Sequence, residues 1–238
     1  MAYYRARAAE YDAWWFRQGR YDRGEANNAA WRADIAAVEG SLADVLAHRH
    51  PATLLELACG TGLFTRHLAP RVDTLTAVDA SPEVIAINRA RVAAANVRYV
   101  EADLFDFEPA ARYDCVFMSF WLSHVPPSRF DAFWAMVRRA LAPGGFAWIV
   151  DSAHDPTSTA VDHPRPDAAA GMATRRLDDG REFRIVKLFY EAPALEARLR
   201  QCGMEASIAR TARYFLHGEA RPATTAQDPA GRQSASSE

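Results

Sequence analysis

The sequence predicts an α/β fold, a mostly parallel sheet with helices on both faces, and three observations carry that prediction. Residues 54–64, LLELACGTGLF, pass from an apolar run closed by an acid through small residues and two glycines into a helical pattern, which lays out a strand, a tight turn and a helix start. Short β-rich runs then alternate with amphipathic helical stretches, the pattern of βαβ units. With 238 residues, half of them hydrophobic, the chain supplies one large core burying roughly 70% of the surface its unfolded form would expose.

The elements follow in order. Residues 27–47 place Trp31, Ile35, Val38, Leu42 and Leu46 at spacings of three and four, a helix laid against the sheet, with Asn27 or Asn28 available as its N-cap. The first strand carries Glu56 near its end, and the second, LTAVD, ends at Asp79. Ser81-Pro82 starts the next helix by capping and fixed φ, and Val84, Ile85, Asn88 and Val92 continue its face. Strands three and four are expected over residues 97–101 and 113–119; Phe130, Phe133, Trp134, Val137 and Leu141 mark a helix after Ser128, and LAPGGFAWIVD leads into strand five. Residues 173–177 and 182–190, joined by Asp178-Asp179-Gly180, read as a hairpin. A helix over 193–203 precedes a last strand over 207–215, and residues 219–238, without a large apolar side chain, read as a disordered tail.

Gly60 and Gly62 let the turn after strand one take positive φ and leave no Cβ between backbone and a ligand. A nicotinamide cofactor is disfavoured, because Thr65 stands where the dinucleotide fingerprint needs its third glycine. At ELACGTG the chain resembles the class I S-adenosylmethionine-dependent methyltransferases, and their later motifs match in order over residues 54–151. That resemblance implies a Rossmann-like seven-stranded, mostly parallel sheet with the last strand antiparallel. It implies S-adenosylmethionine as cofactor and S-adenosylhomocysteine as product. It also implies contacts to them from Glu56, Ala58, Gly60 and Gly62 in the turn, from Asp79 on the ribose hydroxyls beside Ala80, from Asp103 on the adenine amino group beside Leu104, and from Phe120 after strand four. The corresponding organisation is a helical lid over residues 1–50, the cofactor-binding domain over 51–218, and the tail.

Composition narrows the partners. A net charge of −2 gives no general pull toward phosphate backbones. Ser119-Phe120-Trp121-Leu122 also lacks the Asn or Asp, Pro-Pro and aromatic that base-amino methylating enzymes carry after strand four. Nucleic acid is therefore not the expected substrate. Cys59, Cys115 and Cys202 have no paired spacing and read as reduced thiols. With no long apolar run, the expectation is a cytoplasmic protein, monomer or homodimer, acting on a small-molecule acceptor away from membranes.

Ligands of open α/β sheets sit beyond the carboxyl ends of the strands. The N-terminal aromatics Tyr3, Tyr4, Tyr11, Trp14, Trp15 and Phe16 resemble the lid of small-molecule methyltransferases, with Tyr11 the expected donor contact and Trp15 and Trp121 expected to touch the acceptor; alternatively Trp14 and Trp15 staple the first helix to the core. His124, on the loop after strand four, is the candidate catalytic base, or else a structural histidine, and His154 ranks second as an acceptor contact. Asp151, His154, Asp155 and His163 lack the spacing of a metal site, so no metal is expected. The loop over 152–172 is expected to shape the acceptor pocket, and Arg175, Arg176, Arg181 and Arg184 either face water or hold an acidic acceptor.

The activity these residues point to is methyl transfer to oxygen or nitrogen of a small apolar or aromatic metabolite. The variants to set against it are carbon methylation of a quinone-like ring and a non-catalytic cofactor-binding protein; the intact glycine turn favours an enzyme.

Overall fold

The computed structural model describes residues 2–164 and 171–224. In chain order the elements are α1 (Ala2–Arg7), α2 (Tyr11–Trp15), α3 (Glu25–Arg49), β1 (Thr53–Leu57), α4 (Thr65–Leu68), β2 (Thr74–Asp79), α5 (Pro82–Val92), β3 (Val97–Glu101), β4 (Tyr113–Ser119), α6 (Phe130–Ala140), β5 (Leu141–Ser152), β6 (Met172–Arg176), β7 (Glu182–Val186), α7 (Ala192–Gln201), β8 (Met204–Arg210) and β9 (Phe215–Pro222), with short 3-10 turns between some of them. Seven strands form one sheet in the order β3-β2-β1-β4-β5-β9-β8. The five strands from β1 to β5 run parallel, and β9 runs antiparallel between β5 and β8.

Both faces of the sheet are covered, and side-chain alternation along the strands divides the core in two. Val116 and Met118 of β4 and Ala147 and Ile149 of β5 pack with Phe130, Trp134 and Val137 of α6 and Leu195 and Leu199 of α7. Cys115, Phe117, Trp148 and Val150 face the other way, onto Trp31, Val38, Leu42 and Leu46 of α3. The three-and-four spacing read from the sequence is thus the buried stripe of α3. Asp34, buried on the same helix, accepts from Thr211 Oγ1 (2.6 Å), Arg213 N (2.9 Å) and Tyr214 N (2.6 Å), fixing α3 to the turn between β8 and β9.

Four expectations need correction. Helix α3 starts after Gly24, not at an Asn27 or Asn28 cap: Asn28 is buried one turn in, donating to Asp22 Oδ1 at 2.6 Å and accepting from Arg23 N at 3.1 Å. The hairpin β6–β7 is a separate two-stranded sheet, and its second strand stops at Val186 because the amide of Leu188 turns away to Ser123 O at 2.8 Å. Residues 207–215 are the end of β8, a turn and the first residue of β9, not one strand. The expected tail therefore begins inside β9; residues 219–222 are paired strand, and residues 225–238 lie outside the described residues.

Gly218 explains why β9 is hard to see in the sequence. A glycine within LHGEARP reads as a breaker, yet a Cβ there would lie 2.1 Å from Ser207 O, so only glycine lets β8 come this close. Gly218→Ala is expected to destabilise the protein by about 3 kcal/mol or more, since backbone on both strands must move to relieve the overlap. Chemical denaturation measures it.

Candidate functional site

The site lies at the carboxyl ends of β1 to β5, where a narrow cleft meets a larger cavity. Ala58, Gly60, Asp79, Ala80, Asp103, Leu104 and Trp121 line the cleft. Tyr4, Tyr11, Phe120 and His124 line both the cleft and the cavity, and so stand at the passage between them.

Backbone chemistry builds the cleft. Asp79 closes β2 and turns both oxygens on main-chain amides, Oδ2 accepting from Gly60 N and Oδ1 from Ser81 N, each at 3.0 Å. The glycine turn is held from below by Asn88 of α5. Fully buried, Asn88 donates through Nδ2 to Gly60 O (3.1 Å) and Thr65 Oγ1 (2.8 Å), and its Oδ1 accepts from Tyr99 Oη (2.8 Å). A Cβ on Gly62 would sit 2.7 Å from that Oδ1, and Gly62 has φ +89°. Ala58 and Phe120, at the ends of the adjacent strands β1 and β4, hold left-handed φ of +54° and +52°, strain of the kind that collects where a fold positions a ligand.

The cavity has a volume of about 580 Å³. Its walls are aromatic, with Tyr4, Tyr11, Trp14, Phe120 and Phe189, but four cations also line it: Arg7 of α1, Arg23 before α3, Arg175 of β6 and Lys187 just after β7. Arg7 stacks on the Tyr11 ring at 4.9 Å. Lys187, 7% exposed, donates to Ser123 Oγ (2.8 Å) and Ser152 Oγ (3.2 Å), with Asp151 Oδ1 at 3.7 Å. Asp151 in turn accepts from Ser123 N (2.8 Å) and Ser152 N (2.7 Å). The cavity roof is tied down by side chains of the N-terminal segment on backbone carbonyls: Trp14 Nε1 to Ser158 O (2.8 Å), Arg17 to Thr157 O (2.6 Å) and Arg23 to Thr159 O (3.1 Å).

Residues 54–145 match the family described as "Methyltransferase domain". Over 146 residues the chain is 29% identical to an uncharacterized methyltransferase of Mycobacterium tuberculosis, covering 61% of this chain and 72% of that protein. Over 108 residues it is 32% identical to nodulation protein S of Rhizobium tropici, 44% of each. Among solved structures, DhpI in complex with SAH is 38% identical, with 94% of this chain and 95% of that one covered and a TM-score of 0.74. This chain belongs to the S-adenosylmethionine-dependent methyltransferase family. A second DhpI structure, a SAM–HEP complex, has the same identity and TM-score.

The cleft of this methyltransferase fits its cofactor. Asp79, held by two amides, presents its carboxylate to the cleft, and Asp103, fixed by the amide of Phe105 at 3.0 Å, lines it as well. Beside it the indole N–H of Trp121 is buried without a partner among the described residues, so a bound heterocycle can satisfy it.

The structure separates the residues expected at the site. Ala58, Gly60, Asp79, Ala80, Asp103, Leu104, Tyr11 and Phe120 line the cleft, and His124 and His154 line the cavity. Glu56 lies beneath the turn instead, 1% exposed and with no partner on either oxygen among the described residues. Gly62 serves the contact with Asn88. Trp15, 3% exposed, is core, packed on Phe64, Phe120 and Phe215, so its acceptor role is withdrawn in favour of the staple. Trp121 borders the cleft, packed on Phe105, and not the cavity. Asp151, Asp155 and His163 go separate ways, to Lys187, to Arg213 and to Thr159. No helix among the described residues is long and apolar enough to cross a membrane. The sequence reading missed Asn88 as the support of the turn, and Arg7 and Lys187 as cavity cations. A lone Asn on an otherwise apolar helix face was the signal for the first.

His124 Nδ1 lies 2.7 Å from Val186 O, so that nitrogen carries the proton and Nε2 keeps its lone pair. Burial, reinforced by Lys187 and Arg175, holds this imidazole well below its ordinary pKa. Burial pushes Glu56 the other way, up to about 8. A carboxyl raised in the folded state stabilises most below its unfolded pKa and loses that contribution as pH rises through the folded value. Unfolding measured from pH 5 to 9 is therefore expected to show stability falling as pH approaches 8, and Glu56→Gln is expected to flatten that slope. Asp79→Ala is expected to weaken S-adenosylhomocysteine binding by about 2 kcal/mol, roughly 30-fold, because charged hydrogen bonds are lost; calorimetry reads it.

Proposed function

We propose that this methyltransferase acts on oxygen or nitrogen of a small acceptor that carries an anionic group and an apolar or aromatic body. The observation behind this reading is the uncompensated charge of the cavity. Arg7 and Arg175 have no carboxylate within ion-pair distance among the described residues, and the acid in the lining, Asp155, is engaged by Arg213 at 2.7 Å. Burial, with Arg7 nearby, holds Arg175 below its ordinary pKa. A purely apolar ligand would desolvate these guanidinium groups without a partner, whereas an anion gives each a charge-assisted hydrogen bond. The aromatic walls take the rest of the molecule.

The cofactor supplies an electrophilic methyl group on a sulfonium, whose charge is lost on transfer. Residues of the chain align and dry the path. Tyr4, Tyr11 and Phe120 at the passage keep water from the boundary between the two ligands, and alignment in a water-poor pocket supplies much of the acceleration. His124 Nε2 accepts a hydrogen bond from the acceptor O–H or N–H and so aims its lone pair toward the cleft. With a depressed pKa, it is an orienting acceptor more than a store for the proton.

The test is transfer of labelled methyl to a panel of small carboxylates and phosphate esters, each beside its neutral amide or alcohol. Turnover is expected for the anions, and equal kcat/KM for the neutral partners would remove the anion from the reading. Arg175→Met is expected to raise KM for the best acceptor by about 30-fold with S-adenosylhomocysteine affinity unchanged. Burial lowers Lys187 to about 8, so its charge is present below that pH and lost above it. Sulfate, which does not titrate in this range, is therefore expected to bind the cavity more weakly at pH 9 than at pH 7, and Lys187→Met to lose that dependence.

A further inference from the structure

Asp12 lies in α2, the helix that carries Tyr11 over both cleft and cavity, and its carboxylate is engaged with the cofactor turn. Oδ1 accepts from Thr61 Oγ1 at 2.6 Å, and Oδ2 accepts from the guanidinium of Arg91 on α5. Arg91 closes the triangle, donating to Thr61 O at 2.8 Å and to Thr61 Oγ1 at 3.1 Å. Thr61, 1% exposed, sits between Gly60, whose amide is bound to Asp79, and Gly62, which is fitted against Asn88. A short line of contacts thus runs from the acid of the cofactor cleft to the segment that covers the acceptor.

That segment cannot hold its own position. Helices of six and five residues, α1 and α2, are far below the length at which a helix persists alone. The carboxyl end of α2 is anchored: Trp15 is core, and Trp31 Nε1 donates to its carbonyl at 3.0 Å. The amino end packs through Tyr3 on Ala173, Leu177 and Ile185 of the hairpin, and its polar ties are few. Among the described residues, the side-chain polar ties from residues 2–12 to the chain beyond residue 24 are the exposed Arg5–Glu101 pair, Glu10 on the exposed amide of Asp178, and the Asp12 triangle. Exposed ties of the first two kinds contribute little. Asp12 is the tie that reaches the cofactor turn.

We propose that Asp12 is a positioning residue that couples occupancy of the cofactor cleft to closure of the N-terminal segment over the acceptor cavity. A cofactor seated against the turn fixes Thr61; Thr61 and Arg91 fix Asp12; Asp12 sets the neighbouring Tyr11, and Tyr11 sets the Arg7 guanidinium stacked on it. By reciprocity, an anion in the cavity tightens the cofactor by the same factor as the cofactor tightens the anion. The step to Arg7 and the anion rests on the function proposed above, whereas the step from turn to lid does not.

The experiment is trypsin digestion of the full chain with and without saturating S-adenosylhomocysteine, following cleavage after Arg5 and Arg7. Saturating ligand is expected to slow cleavage about tenfold in the unaltered protein and less than about twofold in Asp12→Asn, although calorimetry still shows that variant saturating. Arg91→Gln breaks the triangle from α5 and is expected to give the same loss, so a folding defect in one variant does not decide the matter. Equal protection of all three proteins, or no protection of the unaltered one, would overturn the proposal. Repeating the titration in sulfate separates the two readings: tightening confined to the unaltered protein supports both. If sulfate is without effect while protection still depends on Asp12, the anion reading fails and the latch stands.

Discussion

Asn88 has no room to move, and the cofactor side of the molecule depends on that. Its amide fills the space left by the missing Cβ of Gly62 and at once binds Gly60 O, Thr65 Oγ1 and the Tyr99 hydroxyl. One side chain therefore fixes the turn after β1, the start of α4, the helix α5 and the strand β3 relative to one another. The amide of Gly60 can then be delivered to Asp79, and Thr61 can present its hydroxyl outward to the lid. The Asn88 side chain is fully buried and its bond to Thr65 Oγ1 is made away from competing water, where leaving a partner unpaired costs most.

The acceptor side is built on the opposite principle. Where the turn is held by hydrogen bonds, the cavity gathers Arg7, Arg23, Arg175 and Lys187, and among the described residues Arg7 and Arg175 have no carboxylate within ion-pair distance. Lys187 is restrained by two hydroxyls and a carboxylate at the end of β5, so the sheet itself aims one of these charges. Arg7 and Arg175 come from α1 and from the hairpin, which share a small apolar cluster of Tyr3, Ala173, Leu177 and Ile185. A site of this kind stores unpaired electrostatic potential in the protein and releases it only to a ligand of the right sign.

What the sequence disclosed follows from how local each signal is. Residues 97–101 and 113–119 were read with the observed bounds, and Ser81-Pro82 was read as the start of α5, because strand alternation and helix capping act over a few residues. Asp79, the last residue of β2, and Asp103, two residues past β3, were named through the family resemblance, and both line the cleft. Arg175 was offered by the sequence as a holder of an acidic acceptor, but Arg7 joins Arg175 of the β6–β7 hairpin and Lys187 just after it only through packing of that hairpin on α1, and no spacing records that. Trp15 and Trp121 show the converse limit. Aromatic composition announced a cluster, but the sequence does not say which ring faces a ligand and which fills the core, since both uses demand the same surface.

The position of β9 also governs when the molecule can be finished. Among the described residues it is the final strand of the sheet to be synthesised, yet it sits inside the sheet and is the one neighbour of β8. Until residues 215–222 are free, β8 has no ladder to join, β5 keeps an open edge, and Asp34 on the early helix α3 waits for the amide of Tyr214. The nascent chain thus holds a nearly complete cofactor turn alongside an unclosed sheet, a long-range dependence of the sort that slows folding and exposes strand edges to chaperones. Synthesis order and spatial order are at odds here, so residues 215–222 decide whether the strands laid down before them are closed into one sheet.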